Sequence, residues 1–306
     1  MNKVYDCLIV GSGPCGIGAG LYLHQIGKDI AIIEKSTPGG KINIAPRVDN
    51  YPRQEPISGP DLAVKFYMRL LDNNVPFIGD DISSLTKEGD LFKLQGVSET
   101  YLTKTVLIAS GTKERELGLP KEKELFGHGL SYCAICDGHF HKGQNVLVIG
   151  GGNTALKEAI YLAGLVKHLY LIHRRNEFRG NVKLVEELKS HDNVTILTPY
   201  VPVELIGEDH LTGVKIRNVS SNEEKILDVQ GVFPLVGQIP NSEFIKISGV
   251  TNKWGTIPVD KKMMTSVPGL FAGGDILPRD IRQIYLAEHD GMVAAKSIEE
   301  YLSNAK

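Results

Sequence analysis

Two short glycine segments, each set between an apolar run and a helical one, constrain this chain more than any other feature. The first is "GSGPCG" (residues 11–16), preceded by "VYDCLIV" (4–10) and leading into "IGAGLYLHQIG" (17–27). In the second, "NVLVIG" (145–150) runs into "GGNTALKEAIYLAGLV" (151–166). Each set ends in a further apolar run, "DIAIIEK" (29–35) or "HLYLIHRR" (168–175). Short apolar runs read as buried strands and the spaced apolar pattern as a helix, which Gly27 closes in the first set. Each set therefore predicts a β-α-β unit of about 30 residues. Two such units predict an α/β chain built from two Rossmann-like three-layer (ββα) nucleotide-binding domains.

The glycine spacing carries chemistry. In Gly11-x-Gly13-x-x-Gly16 the first glycine permits a tight turn and the second lets backbone approach a pyrophosphate. The third allows close strand–helix packing, and the helix N-terminus offers N–H groups to phosphate. Glu34 ends the next strand, about 20 residues on, where a carboxylate accepts from ribose hydroxyls. Without that context the motif would be an ordinary tight turn. The second loop is Gly150-x-Gly152-x-x-Ala155, opening on Asn153 and Thr154. Glu34 lies 23 residues after Gly11, and the same offset from Gly150 falls on His173, followed by Arg174, Arg175 and Arg179. A carboxylate would repel a 2′-phosphate, whereas guanidinium groups bind it through paired, charge-assisted hydrogen bonds. The second site is thus expected to take NADPH in preference to NADH; the plainer alternative is a solvated basic loop. The first loop is read as an FAD site, supported by "FAGGD", which sets Asp275 at a glycine turn before a long helix.

The remainder bounds the class. The chain has 306 residues, enough for two domains, and a formal net charge of −2, which gives no reason to expect nucleic acid or an acidic membrane surface as partner. The N-terminal apolar stretch holds Asp6 and repeated glycines, unlike a signal peptide, and no run of roughly 18 apolar residues predicts a membrane span. A Pro-rich loop and helix are expected within 51–74, strands at "FKLQGV" (92–97), "TVLIASG" (105–111) and through 193–237, and linkers at 111–117 and 237–244. Four cysteines are too few for a disulfide scaffold, and the expected compartment is the cytoplasm.

Two of those cysteines, Cys133 and Cys136, stand in "SYCAICDGHF" (131–140). A structural zinc site needs two further ligands. Cys7 and Cys15 belong to the first strand and loop, leaving only a mixed site with His128, His139 or His141. A structural staple does not suit the compartment. A Cys-x-x-Cys pair at a helix start has a lowered thiol pKa and exchanges readily. Asp137 follows directly, as a proton donor or acceptor for sulfur or as a helix cap. A flavin accepts a hydride and passes two electrons to a disulfide, so NADPH, FAD and the pair make one electron path.

The combination of "GSGPCG", "GG" at 39–40, "DNYP", "CAICD", "GGGNTA", "HRRNEFR", "GLFAGGD" and "RQI" closely resembles the low-molecular-weight, bacterial-type thioredoxin reductases, over about residues 4–302. The resemblance implies a homodimeric flavoprotein that passes electrons to thioredoxin. It implies a discontinuous FAD domain, 1–112 with 244–306, and an inserted NADPH domain, 113–243, that carries the cysteines and rotates between two orientations. It sets Cys136 toward the flavin and Cys133 as the attacking thiol. Onto the FAD segments it places Glu34, Lys35, Gly39, Gly40, Lys41, Asn50, Asp275, Arg282, Gln283 and Ile284. Onto the NADPH site it places Gly152, Asn153, Thr154, His173, Arg174, Arg175 and Arg179. The chain departs from the pattern at Lys41 (usually Gln), at "INIAPR", at Ile284 (commonly Ala) and at "AEHDG". The rival is a related flavin reductase that serves another acceptor, a ferredoxin, a flavodoxin or a peroxidase component.

Overall fold

The computed structural model describes residues 3–45, 47–52 and 54–304. Pro46 of "INIAPR" and Arg53 of the Pro-rich loop lie outside the described residues. The chain divides into two compact units. The first runs to Lys113 and resumes at Ile239; the second is Glu114–Gln238.

The first unit opens with strand β1 (Val4–Val10), helix α1 (Pro14–Gln25) and strand β2 (Ile30–Glu34). Helix α1 starts three residues earlier than the apolar spacing suggests, because Pro14 occupies its first turn, where a fixed φ and a missing N–H cost nothing. Helix α2 (Gly59–Asp72) is capped by Ser58, whose side chain accepts from the Asp61 N–H. Strands β3 (Phe77–Gly79), β4 (Ile82–Glu88), β5 (Leu91–Gly96) and β6 (Thr100–Ile108) follow. They build the sheet order β3-β2-β1-β6-β5-β4. β3, β2, β1 and β6 run parallel, whereas β5 and β4 join as an antiparallel extension. β1 lies between β2, reached through α1, and β6. That is a topological switch point, where an open α/β sheet binds ligand at its strand C-termini.

Period-two alternation explains the core. In β1, Cys7 and Ile9 pack into one buried cluster with residues of α1, α2 and the C-terminal helix. Leu8 and Val10 pack into a second cluster on the opposite face, with residues of β4, β5 and β6. Burying each of the larger aliphatic side chains contributes roughly 1.5–3 kcal/mol. Asp6, out of place in an apolar strand, lies at the strand's less buried start, where it accepts from Lys104 Nζ and the Asp29 N–H.

A short strand β7 (Thr112–Glu114) leads into the second unit, which holds helix α3 (Ala134–Asp137), strand β8 (Asn145–Ile149), helix α4 (Asn153–Ala163), strand β9 (His168–Ile172), helix α5 (Val182–Lys189) and strand β10 (Val194–Leu197). Strands β11 (Tyr200–Gly207), β12 (Leu211–Asn218) and β13 (Glu224–Leu227) make a separate antiparallel sheet. β14 (Gly231–Pro234) completes the parallel order β10-β9-β8-β14. β8 here repeats the place of β1, between the strand reached through its own helix and a strand from later in the chain. Strand β15 (Gln238–Pro240), which pairs with β7, leads back to the first unit. There β16 (Leu270–Ala272) pairs with the end of β6, and helix α6 (Ile284–Asn304) closes the chain.

Candidate active site

Both glycine loops lie at the C-terminal ends of their central strands. In the first, Gly11 has φ +105°, and a Cβ there would lie 2.5 Å from the Ala109 carbonyl oxygen. A Cβ on Gly16 would lie 1.9 Å from the Gly11 carbonyl oxygen, whereas one on Gly13 would meet nothing within 4 Å. Turn, packing and an open approach are thus divided among the three glycines as a dinucleotide loop requires. No side chain caps α1, so its first turn faces that approach. Glu34 reaches back from the end of β2: its Oε2 accepts from the Ser12 N–H and hydroxyl, both at 2.9 Å, and its Oε1 from the Ser36 N–H and hydroxyl.

The other expected FAD residues continue from this loop. The Gly39 N–H donates to the Ser12 carbonyl, and a Cβ on Gly40 would lie 3.4 Å from Gly13 Cα. Lys41 Nζ lies 3.7 Å from Asp275 Oδ2. Arg282 Nε donates to the Asp275 carbonyl at 3.4 Å, and Asn50 Nδ2 to Gln283 Oε1 at 2.9 Å. Ile284 begins α6. Residues 233 positions apart are thereby joined. Lys35 stands apart in an exposed pair with Asp81.

The second loop repeats this plan with different side chains. A Cβ on Gly150 would lie 2.6 Å from the Leu235 carbonyl oxygen, and equally close to the Ala155 methyl; one on Gly152 would meet nothing within 4 Å. Asn153 Oδ1 accepts from the Asn181 N–H, and the Arg179 and Gly180 N–H groups donate to the Gly151 carbonyl. Thr154 follows as the second residue of α4. Arg174, Arg175 and Arg179 are exposed. His173 is separated from them: it is buried, stacks on Phe178 at 5.3 Å, and its Nε2 has no hydrogen-bond partner. Burial, and then the charge of Arg179, hold its pKa below the ordinary value. The cationic cluster read from sequence is therefore three exposed arginines and a buried ring. Both loops fit a dinucleotide pyrophosphate, since each leaves clear the middle glycine that such a ligand must approach.

Cys133 and Cys136 form a disulfide with a Cα–Cα distance of 5.3 Å. Cys133, not Asp137, caps α3, its Sγ accepting from the Cys136 N–H at 3.2 Å. Ser131 Oγ donates to Asp137 Oδ2 at 2.6 Å and accepts from the Cys133 N–H. Beneath the pair, the Ala134 N–H donates to Glu158 Oε2 at 2.7 Å. Burial pushes the Glu158 carboxyl up to about 7. The two remaining cysteines are buried and free. Burial raises both thiols, Cys7 to about 12 and Cys15 further, so both stay protonated and unreactive near neutral pH. Among the described residues no group of three or more His, Cys, Asp or Glu is placed to hold a metal ion, and no helix is long and apolar enough to cross a membrane.

Comparison with known proteins agrees with this geometry. Residues 5–291 match the family model for pyridine nucleotide-disulphide oxidoreductases. A thioredoxin reductase from Mycoplasma pneumoniae is 40% identical over 98% of this chain and 96% of its own length. One from Ureaplasma parvum is 38% identical over 99% and 98%. The crystal structure of a thioredoxin reductase from Streptococcus pyogenes superposes with a TM-score of 0.93 at 39% identity, covering 99% of this chain and all of that one. The chain belongs to the thioredoxin reductase family of pyridine nucleotide-disulphide oxidoreductases.

For a family member, the departures noted in sequence have visible consequences. Lys41 gives Asp275 an internal counter-ion. In "AEHDG", both carboxylate oxygens of Glu288 accept from the Tyr51 hydroxyl at 3.0 Å, and burial raises that carboxyl's pKa. Three groups escaped the sequence reading. Asp290, only 2% exposed, accepts from the Gly274 N–H and pairs with Arg279 at 2.7 Å, fixing the turn that carries Asp275. Arg279 is the second of these groups, and Glu158 is the third. Both acids sit among apolar helix positions at i±3 and i±4, Glu158 with Ala155 and Leu162, and Asp290 with Ala287 and Ala294. An acid on a buried stripe was the available signal.

Proposed function

We propose that this protein is an NADPH-dependent thioredoxin reductase. The observation that carries the reading is the Cys133–Cys136 disulfide in the same compact unit as an arginine-flanked glycine loop. FAD and NADPH supply the hydride chemistry, and the chain's own residues do the rest. The first unit binds FAD through Gly11, Gly13, Gly16, Glu34, Gly39, Gly40 and the group around Asp275; the second binds NADPH through Gly152, Asn153 and the arginines. Two electrons, with two protons, open the disulfide to a dithiol. Cys133 attacks the thioredoxin disulfide, and Cys136 then closes on Cys133 to release it. Asp137, held by Ser131, moves a proton to or from the adjacent sulfur.

The working form is a homodimer in the cytoplasm, where NADPH is supplied. Support for a self-interface comes from α2, where Val64, Met68 and Leu71 expose 58%, 46% and 45% of their surface at i, i+4 and i+7 spacing. The test is an anaerobic NADPH titration followed by the flavin spectrum and a thiol count. Two new thiols per chain are expected, lost in Cys136→Ser, and Cys133→Ser should abolish thioredoxin reduction. A flavin fully bleached by NADPH while the disulfide stays oxidised overturns the reading.

A further inference from the structure

Glu158 has no part in the steps above, yet its surroundings bind it to the sulfur pair. It is an acid in the middle of α4, 9% exposed, between Leu156 and Ala159 on the buried side of the helix. Its Oε2 accepts at 2.7 Å from the amide of Ala134, the residue bonded directly to Cys133 and two positions before Cys136. Removing a carboxylate from water is costly unless a cation or several donors offset it. One backbone donor serves here, and the charge of Glu114, which acts on it, is of like sign. The other ionisable groups on packed elements are Asp137 on α3, already bonded to Ser131, His168 on β9, bonded to Thr195, Tyr170 on the same strand, Lys157 and Tyr161 on α4 itself, and Lys183, Glu186, Glu187 and Lys189 on α5.

We propose that Glu158 is a positioning residue for the redox pair, taking up a proton as the Cys133–Cys136 disulfide is reduced and releasing it on reoxidation. The idea rests on the reductase reading of the pair. Reduction breaks the S–S bond and, with two electrons and one proton, leaves one thiol and one thiolate. The thiolate is a new negative charge beside an amide that Glu158 already occupies. Two like charges so close do not both persist in a poorly hydrated pocket. The carboxylate takes a second proton from water, and the Ala134 amide is freed to favour sulfur. When the dithiol reduces an acceptor disulfide, both protons and both electrons leave. The near-neutral pKa of Glu158 in the oxidised protein puts the exchange in the working pH range.

The test uses the holoenzyme equilibrated in dithiothreitol redox buffers from pH 5.5 to 8.5, with free thiols trapped by alkylation and counted by mass. Glu158→Gln keeps an acceptor oxygen for the Ala134 amide and removes the charge. The ratio of its reduction equilibrium constant to that of the wild type should be flat below about pH 6. Above about pH 7 it should climb by up to tenfold per pH unit, the signature of one lost proton. A flat ratio across the whole range overturns the proposal. Infrared difference spectra give a second readout: reduction of the wild type at pH 7.5 should add a protonated-carboxyl band, and the band should persist in Asp137→Asn. Absence of that band also overturns it. The buffer reduces the pair without nucleotide, so failure of NADPH to reduce it would sink the reductase reading and leave this measurement interpretable.

Discussion

The two glycine loops share a backbone plan and differ in what closes on them. Gly11 and Gly150 each lie against a carbonyl of a neighbouring strand's end, Ala109 or Leu235, and Gly13 and Gly152 are both open to a ligand. They part at the third position. The Gly11 carbonyl excludes a methyl on Gly16, whereas the second loop packs the Ala155 methyl against Gly150. They part again 23 residues on. Glu34 reaches up and is held by Ser12; His173 packs down, so close that a Cβ on Gly151 would lie 2.3 Å from its Nδ1. One backbone frame thus carries an acid beside one loop and arginines beside the other, and the difference is made by side chains outside the loop.

The largest effect expected from this comparison is an asymmetry at the third position. Gly16→Ala forces backbone to move and should cost about 3 kcal/mol or more, with loss of bound flavin. Ala155→Gly should cost only about 1–2 kcal/mol, from helix propensity and one lost methyl. Thermal melts and flavin content per chain decide it, and equal costs would break the comparison. Next, Arg174→Gln with Arg175→Gln should raise KM for NADPH by about tenfold to a hundredfold, the loss of 1.4–2.8 kcal/mol. KM for NADH should hardly move. An unchanged NADPH/NADH ratio would remove the arginines from the discrimination.

The smallest effect is expected at His173, and it carries a pH signature. Its pKa is depressed in the folded protein, so unfolding takes up a proton, and stability is lost as pH falls below about 6.5. His173→Phe removes that loss while keeping the stack on Phe178. Its gain in Tm over the wild type should be larger at pH 5 than at pH 8, with KM for NADPH within about twofold. A tenfold rise in KM would show the ring touching the nucleotide.

Local signals made much of this legible. Apolar periodicity and glycine spacing marked β1-α1-β2 and β8-α4-β9, because strand, turn and helix are specified within a few residues. The cysteine pair was legible for the same reason. What the chain hid was mostly tertiary. The Asn50–Gln283 and Lys41–Asp275 contacts join segments with no common spacing. The helix start at Pro14 was masked by glycines that break the apolar pattern. His173 was found by its offset, but its burial depends on Phe178 and Gly151 closing over it. Glu158, beside Lys157, belongs to no motif, and its apolar neighbours at i−3 and i+4 are the one local sign of the place that packing gives it beneath the sulfur pair.

The bonds that hold that pair, from Ser131, Asp137, the Cys136 amide and Glu158, all arise between residues 131 and 158. Sulfur, acid and hydroxyl are therefore tied together by bonds within one short stretch of the chain. A change anywhere else in the chain thus leaves the hydrogen bonds around the two sulfurs with all their own partners.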